Sequence, residues 1–459
     1  MKKKQVTTQK HYSPRAILVA IGAKIRALKL LHPIEELVKI RQKTVKYSPV
    51  QKLMDGLITI LAGAHGFSEI NTRLRSDPAL QRAFGRTGCA EQSVVQETLD
   101  ACSATNVKQM EQAARAIFHT HSLAYRHNYK QRWQVLDVDI TGLPCGSKSV
   151  KADKGYFSKD GIRHGRQLGR VIAAEYEEVV VDKLYNGNVQ LLTAQRSLVR
   201  AAAEALDLDE AKRKRTIIRV DAGGGSVDEV NWLLGNDYQL HCKDLSSARA
   251  KNLAATVKEW MGDPHTPGRE LGWVSEPGDE YIRPVRRLAL RWKKKNGQMN
   301  YAVILSTLEP RDVILLTKQP VDRVGDKRAV MGAYAAFYNQ RGGTVEIEIK
   351  EDKQGVGMTK RSKKRFEAQQ MVVLLNSLAH NLIVWSRRWL SGATPKLREF
   401  GFLRLVRDAF QVSGLVELDA HGKVIKIVLN QKAAWANRLI SALKALLKPE
   451  RVSVILGET

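Results

Sequence analysis

Tyr338-Asn339-Gln340-Arg341-Gly342-Gly343-Thr344-Val345-Glu346-Ile347-Glu348-Ile349-Lys350-Glu351-Asp352-Lys353 places a Tyr, an Arg, a Glu and a Lys within sixteen residues. Two earlier stretches answer to it. Leu136-Asp137-Val138-Asp139-Ile140-Thr141 and Ile217-Ile218-Arg219-Val220-Asp221-Ala222-Gly223 are apolar runs that each end in an aspartate. Carboxylates delivered by separate parts of a chain can converge on divalent metal, and cations beside them can hold phosphate. These stretches suggest metal-dependent chemistry at a phosphate group.

Asp137 and Asp139 stand two apart, so on a strand both point to the same side. Val135, Leu136, Val138 and Ile140 imply that this strand is largely buried. A carboxylate there needs a partner, and a metal ion is a good one. The competing reading is two surface aspartates on a solvated face. Asp221 follows Ile217, Ile218 and Val220 and precedes Gly223-Gly224-Gly225. Taken alone it also reads as a simple turn aspartate. Residues 345–350 alternate strictly, with β-branched residues at the apolar places, as an exposed strand would after the Gly342-Gly343 turn. As a helix with Thr344 at its cap, the same residues would stack Glu346, Lys350 and Lys353 on one face. Composition leaves both open. The eleven histidines are scattered and suggest no serine–histidine–acid arrangement.

With 459 residues the chain is expected to form roughly two to four domains. Apolar residues make up 43% of it, enough to exclude wholesale disorder. Its 75 Lys and Arg against 47 Asp and Glu leave a net charge of +28. Such a surplus repels itself unless a polyanion offsets it, and nucleic acid releases counterions on doing so. A membrane surface is the rival partner, but no basic amphipathic helix with an aromatic face is found. Cys89, Cys102, Cys145 and Cys242 form no C-x-x-C pair and read as reduced thiols. Met1-Lys2-Lys3-Lys4 is followed by polar residues, not by the apolar run of a secretion signal. The most apolar run, 371–385, is interrupted by Asn376, Ser377, His380 and Asn381 and is too short to span a bilayer. A soluble cytoplasmic protein is expected.

Residues 1–132 read as a helical N-terminal DNA-binding domain. Apolar residues recur at helical spacing through 17–31 and at Leu53, Leu57, Ile60 and Leu61. Residues 90–99 resemble a recognition helix offering Gln92, Ser93 and Gln96 to DNA, against the plainer reading of a surface helix. From Trp133 the pattern turns to β. Strand-like runs at 134–140, 156–157, 170–176 and 178–184 precede a helix at 192–206 and a short strand at 216–220. Three strands, a helix and another strand is the order of a ribonuclease H-like core, here 133–244 and resuming at 312–395. Between them, 245–311 reads as a β-rich basic insertion with strands near 281–292 and 300–308. Arg286, Arg287, Arg291, Lys293, Lys294 and Lys295 flank Trp292 there, and this cluster is expected to touch DNA. A long apolar helix is expected at 369–390. Residues 396–459 read as a small α+β domain: a helix at 397–410, a hairpin of 414–418 and 424–429, and a helix at 433–447.

These motifs resemble those of the DDE transposases of bacterial insertion sequences, in the hairpin-forming group with a Y-R-E-K signature. The D-x-D-x-T of 137–141, the R-x-D-[AS]-G of 219–223 and the Y-x-x-R…E-x-x-I-K-E-x-K of 338–353 occur in that group's order. Asp139 and Asp221 stand 82 residues apart, and Asp221 and Glu346 stand 125 apart. The longer second gap is similar to the family's habit of inserting a β-rich domain before the glutamate. The likeness extends to Leu61-Ala62-Gly63, to Leu74-Arg75-Ser76-Asp77-Pro78-Ala79-Leu80 and to Leu378-Ala379-His380-Asn381-Leu382, and so covers most of the chain.

The resemblance implies an α/β protein. Its ribonuclease H-like catalytic core would be interrupted by the insertion, with a helical N-terminal domain and a small α+β C-terminal domain. It implies that Asp139, Asp221 and Glu346 bind two Mg²⁺ ions, for which Mn²⁺ can substitute, and that Glu346 sits on a helix. Thr141 favours Asp139 over Asp137. Tyr338, Arg341 and Lys353 match positions that hold a phosphate of the element end, with Lys350 beside them. Arg291, Trp292 and Lys294 are the DNA contacts expected from the insertion. The family pattern has three residues between the Arg and the Glu, whereas this chain has Gly342, Gly343, Thr344 and Val345. The implied partners are double-stranded DNA with inverted-repeat ends, target DNA and a second copy of the chain in the DNA complex, with no membrane. The implied location is the bacterial cytoplasm, at the nucleoid. Two other readings stand beside this one: a catalytically silent DNA-binding protein with a transposase fold, and a simple nuclease without a joining step.

Overall fold

Leu136 and Val138 are fully buried and Val135 nearly so, and they build the strand Gln134–Pro144. Near-continuous apolar runs of this kind suit a strand covered on both faces. A computed structural model of the chain describes residues 8–43, 46–157 and 161–459. The basic start, Met1–Lys4, lies outside them. Two compact units are formed. One comprises Met1–Ser122, Pro144–Ala152 and Ile349–Thr459, and the other Leu123–Leu143 and Asp153–Glu348.

The second unit is built on one sheet. Gln134–Pro144 pairs in parallel with Thr216–Val220, which pairs in parallel with Gln239–Lys243. On its other side lies Gly161–Ala173, itself paired antiparallel with Glu178–Asn186 and Lys154–Phe157. Helix Leu191–Ala205 packs on the two long outer strands, and helix Val227–Gly235 packs on Gln239–Lys243. In chain order four strands, the short Lys154–Phe157 among them, precede helix Leu191–Ala205, and the short helix Glu210–Lys214 comes before Thr216–Val220, where three strands, a helix and a strand were expected.

Beyond Gln239–Lys243 the sheet does not stop. Met299–Ser306, Arg286–Lys293, Arg269–Trp273 and Met261–Gly262 follow, each antiparallel to the last, for ten strands among the described residues. The strands of the basic segment therefore extend the core sheet. The edge of Gln239–Lys243 has backbone donors and acceptors to satisfy, and Met299–Ser306 supplies them. Side chains join the same way. Leu271, Leu288, Leu290 and Ile304 share a hydrophobic cluster with Val135 and Ile217, closed by Tyr334 and Phe337 of helix Lys327–Asn339.

The first unit is mostly helical. Ser48 and Gln51 form a reciprocal capping box that starts helix Pro49–Leu61. Helix Phe366–Ser391 is its longest, and the apolar run 371–385 is buried within it. No helix among the described residues is long and apolar enough to cross a membrane. Strand Gln9–Ser13, near the start of the chain, pairs antiparallel with Gly414–Leu418. Val424–Asn430 and Ser453–Gly457 complete this small sheet, against which helix Ala436–Leu447 packs. The hairpin expected at 414–429 is present, with Gly422 in the left-handed conformation that its turn requires. The helix expected at 397–410 is broken instead into short turns, Pro395–Glu399, Phe402–Arg404 and Leu405–Ala409. Gly401 adopts an extended conformation between the first two and interrupts the helical backbone.

Candidate active site

The parallel strands set the level of the acidic residues. Asp137 pairs with Arg219, so the register carried two places further brings Asp139 level with Asp221. Val220 pairs with Cys242, which by the same extension brings Asp221 level with Lys243. Across three neighbouring strands the register thus sets Asp139, Asp221 and Lys243 at one level, side by side. The carboxyl ends of parallel strands are where such sheets bind ligands. Lys243 carries no motif in the sequence, and only the strand register reveals it.

Asp137 is not part of that row. It is fully buried and takes a two-pronged ion pair from Arg219, with Nε to Oδ1 at 2.5 Å and Nη2 to Oδ2 at 2.8 Å. It also accepts a hydrogen bond from the Thr344 hydroxyl. Asp139 is the more open of the two, its side chain 15% exposed.

Glu346 lies on a helix, Val345–Gly355, and the exposed strand suggested by strict alternation is not formed. Burial explains the outcome. Val345, Glu348, Ile349 and Asp352 are buried at helical spacing, while Glu346 and Ile347 face outward. Tertiary packing outweighs the modest β preference of Val and Ile. The Thr344 carbonyl accepts the first helical bond, from the Glu348 amide at 2.9 Å. Its hydroxyl donates to Asp137.

Arg341 draws two of the carboxylates together. Its Nη2 lies 3.0 Å from Asp139 Oδ1, and its Nη1 donates to Glu346 Oε1 at 2.9 Å. The guanidinium is almost completely buried, and its Nε has no partner among the described residues. Burial works against its charge, but Asp139 first, then Asp221 and Asp137, outweigh that and hold it firmly protonated. Burial pushes the Asp139 carboxyl up to about 6, with Arg341 pulling it down and Asp221 and Glu346 pushing it further up. Asp221 uses one oxygen to accept from the Gly223 amide at 2.8 Å, which fixes its rotamer at the turn.

Tyr338 is half-buried near this group, and the Lys243 ammonium sits 4.4 Å over its ring. Burial pushes the phenol well above its ordinary range. Lys243 has no carboxylate within ion-pair distance among the described residues; burial lowers its pKa, and Asp221 acts in the opposite sense. Lys350 and Lys353 lie further along the Glu346 helix, the first exposed and the second half-buried.

The residues expected from the basic segment differ in freedom. Arg291 is ion-paired to Glu270 at 2.7 Å, and its guanidinium lies 4.2 Å over the Trp260 ring. Trp292 is half-buried and packs against the hydrophobic cluster. Lys293, Lys294 and Lys295 are exposed at the hairpin tip, where Gly297 takes a positive φ.

Among the described residues no three His, Cys, Asp or Glu side chains are close enough to ligate one metal ion. The donors nonetheless suit a hard cation. They are carboxylate oxygens, and the Asp139 carboxyl is driven toward its acid form by burial and by two neighbouring carboxylates. A bound cation returns such a group to its charged form.

No curated protein matches the chain. Among solved structures, the cryo-EM structure of a piggyBac transposase synaptic complex with hairpin DNA is similar over 88% of this chain and 83% of that one. The identity is 12% and the TM-score 0.46. Residues 13–450 match the family model described as Transposase DDE domain group 1, and the chain therefore belongs to that family of DDE transposases.

Proposed function

We propose that this chain is the transposase of a bacterial insertion sequence. It binds the inverted-repeat ends of its element, cuts them by Mg²⁺-dependent phosphoryl transfer through hairpin intermediates, and joins the 3′ ends to target DNA. The observation that carries the reading is the meeting of Asp139 with Arg341 and Glu346, from a distant part of the sequence, at a level in the sheet shared with Asp221. In this reading the sheet centred on Gln134–Pro144 is a ribonuclease H-like core, and 245–311 is its insertion.

Asp139, Asp221 and Glu346 would hold the metal. Two Mg²⁺ ions, or Mn²⁺ in their place, supply positive charge at the attacking and leaving oxygens when bound. The chain's own cations do the rest. Arg341 offers a planar fork that can pass from the carboxylates to phosphate oxygens, and Lys243 acts as a point charge beside it. Tyr338 orients Lys243 through its ring. Lys350 and Lys353 on the Glu346 helix, and Arg291, Trp292 and Lys294 in the insertion, carry the DNA on either side of the break. The working complex holds two copies of the chain in the bacterial cytoplasm.

The test is to incubate the protein with its own element ends and Mg²⁺ and follow nicks, hairpins and joined products. Arg341 bridging Asp139 and Glu346 favours one second reading, a DNA-binding protein whose carboxylates are neutralised internally. Tight binding with no nicking in either Mg²⁺ or Mn²⁺ would establish that reading instead.

A further inference from the structure

Each of the three proposed metal ligands stands two residues after a member of one buried cluster. Asp137 precedes Asp139, Arg219 precedes Asp221, and Thr344 precedes Glu346. The three members touch one another. Arg219 grips both oxygens of Asp137, the Thr344 hydroxyl donates to Asp137 Oδ2, and Arg219 Nη2 reaches the Thr344 hydroxyl at 3.4 Å. Arg219 Nη1 also donates to the Phe337 carbonyl at 2.6 Å, and its guanidinium lies 4.7 Å over the Phe337 ring. Asp137 and Arg219 are buried, and Thr344 is half-buried.

We propose that Asp137, Arg219 and Thr344 form a registration clamp, a set of positioning residues that fixes the three metal-binding carboxylates relative to one another. This rests on the metal-site reading given above. The geometry follows from the chain. On a strand, residues two apart share a side, so locking Asp137 to Arg219 locks Asp139 beside Asp221. Glu346 comes from a different element, and it needs its own tie. Thr344 gives it one, because its hydroxyl donates to Asp137 and so pins the helix start to the Asp139 strand. The turn Gln340–Gly343 that carries Arg341 is held at both ends, by Arg219 at Phe337 and by Asp137 at Thr344. The extra residue between Arg341 and Glu346 lies inside this pinned segment, so the clamp fixes Glu346 rather than Glu348 at the metal.

Thr344→Val tests the clamp without breaking the buried ion pair. Valine keeps the shape and loses the hydroxyl, whereas Thr344→Ser keeps the hydroxyl. Mn²⁺ binding to the full chain is measured by calorimetry without DNA, nicking of element ends is measured against Mn²⁺ concentration, and melting temperature is recorded. The clamp predicts that Thr344→Val weakens Mn²⁺ binding and raises half-saturating Mn²⁺ roughly tenfold, the size of one hydrogen bond to a charged group. Melting should change little, and Thr344→Ser should restore both readouts. A role confined to folding would lower the melting temperature and leave Mn²⁺ affinity unchanged. Wild-type affinity in Thr344→Val, or a defect in Thr344→Ser equal to that of the valine, would overturn the clamp alone. Wild type that neither binds Mn²⁺ nor nicks would overturn the metal-site reading and the clamp with it.

Discussion

Glu346 and Glu348 sit two apart on one helix and should fail in opposite ways. The Glu346 side chain is 56% exposed, and among the described residues it is ion-paired to Arg341. Replacing it by Gln removes a pair of the partly exposed kind, which contributes about 0–1 kcal/mol. In a unit of this size that moves the melting temperature by no more than ~4 °C. On the metal-site reading proposed above, the same change also removes a charged metal ligand. Metal polarisation provides several kcal/mol of transition-state stabilisation, and 1.36 kcal/mol is tenfold in rate, so nicking should fall by roughly 10³-fold. DNA affinity, which rests on basic residues elsewhere, should stay near wild type in gel shift. Glu348 is buried. Glu348→Ala should cost about 1–3 kcal/mol of stability through the buried groups it leaves behind, with little loss of nicking per folded molecule. The assay is single-turnover nicking of an end-labelled element end, with melting recorded for each variant. A Glu346→Gln protein that nicks within tenfold of wild type would refute the assignment. So would a folded but inactive Glu348→Ala.

Other outcomes follow from the charges and the insertion. Non-specific duplex binding should weaken with salt with a log–log slope of about −5 or steeper, since several phosphates are neutralised at once; a flat titration would contradict it. Lys243→Ala should slow nicking at true ends by roughly tenfold, one charge-assisted contact, while binding to random duplex barely changes. Equal losses on both substrates would reduce Lys243 to general electrostatics. Trp292→Ala should leave first-strand nicking largely intact and lower the ratio of hairpin to nicked product, because a stacked base is worth roughly 1–3 kcal/mol. An unchanged ratio with a lowered melting temperature would assign the ring to the hydrophobic cluster alone.

What was legible in the sequence was local or carried by motif. The buried strands before Asp139 and Asp221 announce themselves as apolar runs, because strands covered on both faces have no polar side to alternate. The C-terminal hairpin is legible from its Asp, His and Gly turn. The Glu346 helix was not legible from periodicity. Its sequence alternates, and the helix forms because Val345 and Ile349 find burial that spacing alone cannot disclose. Only the resemblance to a known family placed it correctly. Asp137 looked like an alternative ligand to Asp139, equal in type and pointing the same way. Its commitment to Arg219 lies 82 residues along the chain and shows only in the register. For that reason Asp137→Ala is no neutral control: breaking a buried pair on one side costs about 3–5 kcal/mol. Lys243 and the continuation of the sheet into the basic segment escaped for the same cause, since strand neighbours are not sequence neighbours.

The pairing of Gln9–Ser13 with Gly414–Leu418 has a consequence for biosynthesis. The strand made among the first few dozen residues waits for a partner made some four hundred residues later. At ribosomal speeds of about 5–20 residues per second, that is an interval of roughly 20–80 seconds. Until then the edge that Gln9–Ser13 will cover does not exist, and the strand itself is unpaired in the nascent chain. A chain released before residue 414 can never close this sheet. A chain that loses residues 9–13 leaves Gly414–Leu418 as a bare edge, open to pairing with another molecule. Termination before residue 414 and clipping of residues 9–13 should therefore lead to the same fate: capture by chaperones or aggregation in place of a finished unit.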